Sequence, residues 1–191
     1  MKIELTGLKQ IIMNSTPAGP PLNNGYRRAC VFLLLFNEED PHILTIQKSD
    51  NQGYPWRNQM ALPGGHIEKY DSSPLEAAFR ELEEEVHIRR DQVQFIGSTG
   101  HFQTVNNRDI QVFVGLWHGN GPVHFDTVEI ARVIEVPLRK LIQTHLVNSY
   151  NGRTPDVDEL TYPFEDVVIW GATARILHHF IELTYPLLSS D

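Results

Sequence analysis

The stretch that decides the reading is Leu62-Pro-Gly-Gly-His-Ile-Glu-Lys-Tyr-Asp-Ser-Ser-Pro-Leu-Glu-Ala-Ala-Phe-Arg-Glu-Leu-Glu-Glu-Glu-Val86. Its second half carries the signals of a helix start. Ser73 is an N-cap residue, Pro74 takes the first helical position and Glu76 stands three after the cap, as in a capping box. Leu75, Phe79, Leu82 and Val86 recur at i, i+4, i+7 and i+11 and form one apolar stripe. At about 100° per residue, Glu81, Glu84 and Glu85 fall on roughly the opposite side. Their spacing of i, i+3 and i+4 lets the carboxylates converge and leaves Glu83 off that cluster.

Converging carboxylates repel, by a few tenths of a kcal/mol per pair on an exposed helix. A hard divalent cation reverses the sign, because Mg²⁺ takes oxygen ligands from carboxylates and phosphates. On the helix alone, a solvated acidic face remains the ordinary reading. Gly64 and Gly65 alter it, since a Gly-Gly turn lets backbone approach a ligand closely just ahead of the acids.

Working outward, Ala29 to Phe36 is a continuous apolar run, read as a strand buried on both faces. His42 to Gln47 reads as its neighbour, followed by a loop at 50–58 and a short strand at Met60 to Leu62. Further strands are expected at 93–98, 109–117 and 131–136, with a short helix at Leu138 to Gln143. Residues 147–165 read as irregular and a last helix falls within 166–185. Residues 1–27 read as a lead-in, extended over the Pro- and Gly-rich part from 14. Strands with intervening helices argue one α/β domain over 1–191.

The bulk numbers restrict the function. A net charge of −8 with no basic run argues against nonspecific nucleic-acid binding. One cysteine, Cys30, excludes an internal disulfide and a multi-cysteine zinc site, and its apolar setting marks a buried thiol. No apolar run approaches the ~20 residues of a membrane span. The N-terminus lacks a charged region followed by an apolar core, so a cytoplasmic protein is expected.

Pro63-Gly64-Gly65, the loop and Arg80-Glu81-Leu82-Glu83-Glu84-Glu85 resemble the box of the Nudix hydrolase family, G-x5-E-x7-R-E-U-x-E-E-x-G-U with U apolar. Three positions depart from it. Asp71 stands for the first Glu, eight residues rather than seven separate it from Arg80, and His87 replaces the glycine that would cap the helix. The longer spacing is shared by the Nudix subgroup that hydrolyses coenzyme A and acyl-CoA. That subgroup is also similar to this chain at Glu129 to Leu138 and at Val168-Ile169-Trp170-Gly171-Ala172-Thr173-Ala174-Arg175-Ile176-Leu177. Read from the residues alone, the latter is a buried helix start with Trp170 packing. Upstream, Lys48-Ser49 stands where the subgroup has Arg-Ser, Tyr54 where it has a second Arg, Asn58 for Gly and Leu62 for Phe. Lys is a point charge where Arg makes forked phosphate contacts.

The resemblance implies a Nudix-type α/β/α sandwich with a mixed β-sheet and a pyrophosphohydrolase. The cofactor is Mg²⁺, with Mn²⁺ as the alternative. Metal ligands would be Glu81, Glu84, Glu85 and the Gly64 carbonyl. Glu81, Arg80 and Glu84 would be catalytic, with Arg80 pairing and orienting a box carboxylate. Lys48 and Glu129 would meet substrate, Glu129 as a later-loop acid. The expected partner is a small-molecule diphosphate, coenzyme A or acyl-CoA first, with no nucleic acid and no membrane. A homodimer is an assembly to test. ADP-ribose or another nucleoside diphosphate derivative is the rival substrate, and a non-catalytic ligand sensor the rival class. His101 and Phe102 are placed near the strand bordering the pocket, and Tyr54 and Trp56 as residues able to stack on a base. Adjacent His178 and His179 diverge by about 100° and make a poor metal pair.

Overall fold

The structure is a computed structural model that describes residues 5–22, 25–50, 57–119 and 121–188. Tyr54 and Trp56 lie outside the described residues. The chain begins with helix α1 (Leu5–Asn14), followed by strands β1 (Arg27–Phe36), β2 (His42–Lys48), β3 (Met60–Ala61) and β4 (Gly64–His66). Helix α2 (Pro74–Val86) leads through a 3₁₀ turn (Arg90–Gln92) to β5 (Val93–Gln103), β6 (Arg108–Trp117) and β7 (Ile130–Pro137). Then come α3 (Leu138–Val147), the hairpin β8 (Tyr162–Phe164) and β9 (Val167–Ile169), and α4 (Gly171–Leu188).

The main sheet is mixed. β1 and β6 run parallel from Arg27↔Arg108 to Leu35↔Leu116, and the other pairs are antiparallel. Alternation along β1 splits the core. Leu33 and Leu35 face Val112, Val114 and the helices α1, α3 and α4, while Cys30, Phe32 and Leu34 face Phe113 and the stripe of α2. The result is helices on both sides of a sheet, the expected α/β/α arrangement.

One irregularity of this sheet creates the cleft. β1 and β2 pair only at Leu35↔Ile43 and Phe36↔His42 and then diverge. Residues 60–66 enter the wedge, with β3 bonded to β2 through Ile46↔Ala61 and β4 bonded to β1 through Val31↔Gly64. The Phe32 N–H donates to the Pro63 carbonyl at 2.9 Å and closes the apex.

The ends of the chain depart from expectation. The lead-in 1–27 contains helix α1, whose Leu8 and Ile12, four apart, are both buried. It docks because Gly97 of β5 has no side chain, and a β-carbon there would lie 2.8 Å from Ile12 Cγ2. The last helix starts at Gly171 rather than near 166–168, because Val167–Ile169 pairs with Tyr162–Phe164 in a hairpin. That hairpin occupies part of the stretch read as irregular, and α3 runs on to Val147. Gly171 sits at φ 64 with open space around its Cα, so it serves the backbone turn into α4 rather than close packing.

Candidate active site

Helix α2 starts as its sequence dictates, with Ser73 Oγ accepting from the Glu76 N–H at 3.2 Å and Pro74 in the first turn. The reciprocal half of the capping box is not made, because the Glu76 carboxylate pairs with Arg90 instead. At the other end His87 takes the left-handed conformation, φ 50 and ψ 27, that glycine has in the family pattern. The Ile88 N–H donates to the Leu82 carbonyl and completes the cap. His87 Nδ1 lies 3.1 Å from the Glu83 carbonyl oxygen, a local bond that helps to hold the imidazole over the helix end.

The box acids divide into two groups. Arg80 uses all five guanidinium N–H groups. Nε and Nη2 hold Asp71 in a fork at 3.0 and 3.1 Å, Nη2 also reaches the His66 carbonyl at 3.1 Å, and Nη1 bonds Glu81 at 2.9 Å and Glu84 at 2.8 Å. Asp71, whose side chain is only 4% exposed, also accepts from the Glu68 N–H at 2.8 Å. The Arg80 bonds hold the Asp71 carboxyl below the usual carboxylate range, and Asp71 in turn keeps Arg80 protonated. The displaced acid of the box is thus the main anchor of Arg80, a role that sequence reading did not assign.

Glu85 belongs to the second group. It is buried, it forms an ion pair with Lys48, and it accepts the Gly64 N–H at 2.8 Å. Burial pushes the Glu81 carboxyl upward, with the Arg80 bonds opposing; burial likewise raises Glu85, with Lys48 opposing. Glu81, Glu85, Lys48, Gly64 and Glu129 all line one cleft of roughly 1120 Å³ in the sheet wedge. Glu129 is exposed at its mouth, 3.9 Å from Lys48 Nζ. Glu84 is more than half exposed, turned to Arg80, and is not among the cleft-lining residues. Glu83 is exposed and stands apart, as its spacing predicts.

The cleft wall away from Glu81 and Glu85 is mixed: Val31, Met60, Leu62, Ile110 and Ile176 give it an apolar stretch, and polar and charged residues such as Gln103, Arg108, Asp156 and Arg175 surround it. Trp170 is a correction to the sequence reading. It is 51% exposed and borders the cleft instead of packing in the core. Cys30 is buried beside the site, and burial together with the Glu81 charge pushes its thiol up to about 12, so it is an inert wall residue at neutral pH. Burial and the neighbouring Arg108 and Arg27 hold His66 below its ordinary range, while Glu68 opposes them.

The remaining histidines fall elsewhere. His101 pairs with Asp109 at 2.9 Å and Phe102 is in the core; neither lines the cleft. His178 and His179 point apart, His179 against Phe102 and His178 toward His145. A cluster of His145, His178 and Glu182, with candidate donor atoms within 4.8 Å of one another, lies between α3 and α4. Sequence reading missed it because His145 is far from the other two in the chain. Its hydrogen bonds are internal: His145 meets Tyr162 Oη at 2.9 Å and Glu182 at 2.7 Å, and Glu182 also takes the Gly152 N–H.

The donor set at the cleft suits a hard divalent cation. It consists of carboxylate oxygens, two of them raised by burial and so costly to ionise until a cation faces them. Among the described residues no helix is long and apolar enough to cross a membrane.

Residues 26–156 match the NUDIX domain family model. The Nudix hydrolase NudL of Yersinia pestis is 28% identical over 158 residues, covering 82% of this chain and 79% of that one. In fold, DR0079 from Deinococcus radiodurans superposes with a TM-score of 0.55 at 14% identity, covering 85% of this chain and 88% of that one. The NUDIX domain of Shewanella oneidensis NrtR, solved with ADP ribose, gives 0.50 at 16% identity, covering 70% of this chain and 85% of that one. With more than half of its length matched by the family model and its acids gathered in the sheet wedge, the chain belongs to the Nudix family and is a Nudix pyrophosphohydrolase.

Proposed function

We propose that this enzyme cleaves the diphosphate of coenzyme A or an acyl-CoA, releasing two phosphomonoesters. The observation that carries the reading is the polarity of the cleft. One end holds Glu81, Glu85, Lys48 and Gly64, and beyond it an apolar stretch of Val31, Met60, Leu62, Ile110 and Ile176 is bordered by polar and charged side chains such as Arg108, Asp156 and Arg175, with Trp170 exposed at the edge. A diphosphate joined to a nucleoside on one side and a long, weakly polar arm on the other suits such a cleft.

Glu81 and Glu85, with the Gly64 carbonyl, would hold Mg²⁺, or Mn²⁺ in its place. The Glu84 carboxylate, next to Glu81 on Arg80, would complete the set by rotating inward. A cation held there would neutralise charge on the diphosphate and lower the pKa of a bound water. The protein's part is positioning. Arg80 fixes Glu81 through Nη1, and Asp71 fixes Arg80. Lys48 and the Gly64 N–H position the Glu85 carboxylate and oppose the upward push of burial on it. Glu129, exposed at the mouth of the cleft, would be the acid that accepts the proton of an attacking water.

ADP-ribose, bound by the NrtR domain, is the second reading, because the same acids serve any nucleoside diphosphate derivative. The test is a Mg²⁺-dependent assay of coenzyme A, acetyl-CoA and ADP-ribose with product identification. Phosphopantetheine and adenosine 3′,5′-bisphosphate are expected from coenzyme A. Turnover of ADP-ribose to AMP and ribose phosphate, with coenzyme A untouched, overturns the coenzyme A reading.

A further inference from the structure

The stretch from Val168 to Leu177 does more than start α4. Alternation along β9 turns Val167 and Ile169 inward, 7% and 0% exposed, and leaves Val168 and Trp170 outward, 48% and 51% exposed. Gly171, at φ 64, then turns the chain into the helix, and a β-carbon there would meet nothing within 4 Å. The residues that follow the indole are small: Gly171 and Ala172 line the cleft together with Trp170. Among the described residues that line the cleft, Trp170 is the one Phe, Tyr or Trp.

The start of α4 is tied down on two sides. Thr173 Oγ1 donates to the Met60 carbonyl at 3.0 Å, and Arg175 Nη1 donates to the Gln103 carbonyl at 2.8 Å. Met60 in turn pairs with Gln47, the neighbour along β2 of Lys48, which meets Glu85. The strands that carry the acid end of the cleft therefore also hold the helix start behind the indole. A large aromatic left half in water forgoes burial, and its flat face is free to receive a second flat ring. Thr154, Asp156, Asp158 and Arg175 also line the cleft and can meet the polar edge of a base. An aliphatic arm gains nothing from such groups and is better served by the apolar stretch at Val31, Leu62 and Ile110.

We infer that Trp170 is the platform on which the nucleobase of the substrate stacks, with the diphosphate at Glu81 and Glu85 and the other arm along the apolar stretch. The inference rests on the reading of the substrate as a nucleoside diphosphate derivative. It does not depend on the choice between coenzyme A and ADP-ribose, since both carry an adenosine. It moves the base from Tyr54 and Trp56, which sequence alone offers for stacking, to the start of α4.

The full-length enzyme is compared with Trp170→Ala and Trp170→Phe, using AMP, ribose 5-phosphate and 4′-phosphopantetheine as inhibitors of whichever diphosphate the wild type hydrolyses. Because the side chain is half exposed, both variants should fold, and thermal melts check this. In the wild type AMP should inhibit at roughly tenfold lower concentration than ribose 5-phosphate, which lacks the base. That margin should collapse in Trp170→Ala and largely survive in Trp170→Phe, while inhibition by phosphopantetheine stays the same in all three. For the diphosphate itself, Trp170→Ala should raise KM and leave kcat nearly unchanged. Equal inhibition by AMP and ribose 5-phosphate in the wild type overturns the platform, as does a margin unchanged in Trp170→Ala. Weakened phosphopantetheine inhibition in Trp170→Ala, with AMP unaffected, gives the indole to the other arm and overturns it too. A second measurement needs no turnover, so it separates this inference from the assignment of activity. AMP should quench tryptophan emission in the wild type, and the quenching should vanish in Trp170→Phe, where Trp56 and Trp117 remain. Quenching that persists in Trp170→Phe overturns the platform whatever the substrate.

Discussion

The carboxylate of Glu81 occupies the space that a side chain on Gly65 would need: a β-carbon on Gly65 would lie 2.5 Å from Glu81 Cδ and 2.5 and 2.6 Å from its oxygens. Gly64 is constrained differently, by a φ of 145 and by the Cys30 carbonyl, 2.2 Å from the place of its β-carbon. The two glycines therefore predict different failures. Gly65→Ala should keep the fold and displace Glu81, lowering kcat by about a hundredfold and weakening Mg²⁺ binding. Gly64→Ala should lower stability itself, by several kcal/mol, because the backbone and the β1 carbonyl both resist it. Thermal melts beside kinetics separate the two, and a Gly65→Ala enzyme with native activity would contradict the account.

Lys48 and Glu85 form a buried pair, with side chains 10% and 4% exposed. Removing one partner of such a pair costs about 3–5 kcal/mol, because the other charge is left buried and alone. Lys48→Met should therefore destabilise the metal-free protein by about that amount. If Glu85 meets the cation, Mg²⁺ should restore more stability to the variant than to the wild type. Urea denaturation with and without Mg²⁺ reads both effects, and equal stabilisation of the two proteins would place the cation away from Glu85.

Arg80 makes five donor contacts that a lysine cannot reproduce. Arg80→Lys is expected to reduce kcat at least tenfold while the apolar stripe keeps α2 folded. Asp71→Asn should show a weaker form of the same defect, because it loosens Arg80 rather than removing it. Comparing kcat for the two variants against circular dichroism of the helix tests that order.

Acid should loosen the packing of α3 against α4. Burial holds His145 below its ordinary value of 6.5. Burial would raise Glu182, but the bonds from His145 and the Gly152 N–H outweigh it and hold the carboxyl below 4.5. Because Glu182 accepts, His145 Nε2 carries the proton and Nδ1 accepts from Tyr162. Both folded values are depressed, so the unfolded chain binds more protons as pH falls. Their stabilisation is complete above about 6.5 for the imidazole and 4.5 for the carboxyl, and is lost below those values. The melting temperature should drop from pH 7 to 4, and Glu182→Gln should flatten only the lower part of the curve. A slope unchanged in that variant would remove Glu182 from the explanation.

The stretch from Leu62 to Val86 was legible because local rules govern it. A cap, a proline and a stripe act within a few turns, and the structure keeps each of them except the second half of the capping box; the convergence expected of Glu81, Glu84 and Glu85 is not kept, because Arg80 turns Glu84 away from the cleft while Lys48 holds Glu85 inside it. The roles of Asp71 and Lys48 were not legible in the same way, because each depends on where another element lies. Asp71 reads as a substitute acid until Arg80 is seen in its fork, and Lys48 as a weakened phosphate contact until β2 brings it to Glu85. Trp170 was misread because an aromatic in an apolar stretch is usually core, and only the hairpin before α4 turns it outward. Helix α1 could have been found from Leu8 and Ile12, but what it docks on, the bare backbone at Gly97, is visible only in three dimensions.

The parallel ladder of β1 and β6 joins Arg27 to Arg108, residues 81 positions apart (108 − 27). Loop closure over that distance must be met before the pairing returns anything, so this ladder should be a late event and a slow one. The helix with its acids and the wedge between β1 and β2 can form early, but the cleft wall that β6 supplies, with Arg108 and Ile110, exists only once β6 has arrived. During refolding, helical signal should therefore return ahead of hydrolytic activity, and the interval between them is a clock for the closing of the sheet.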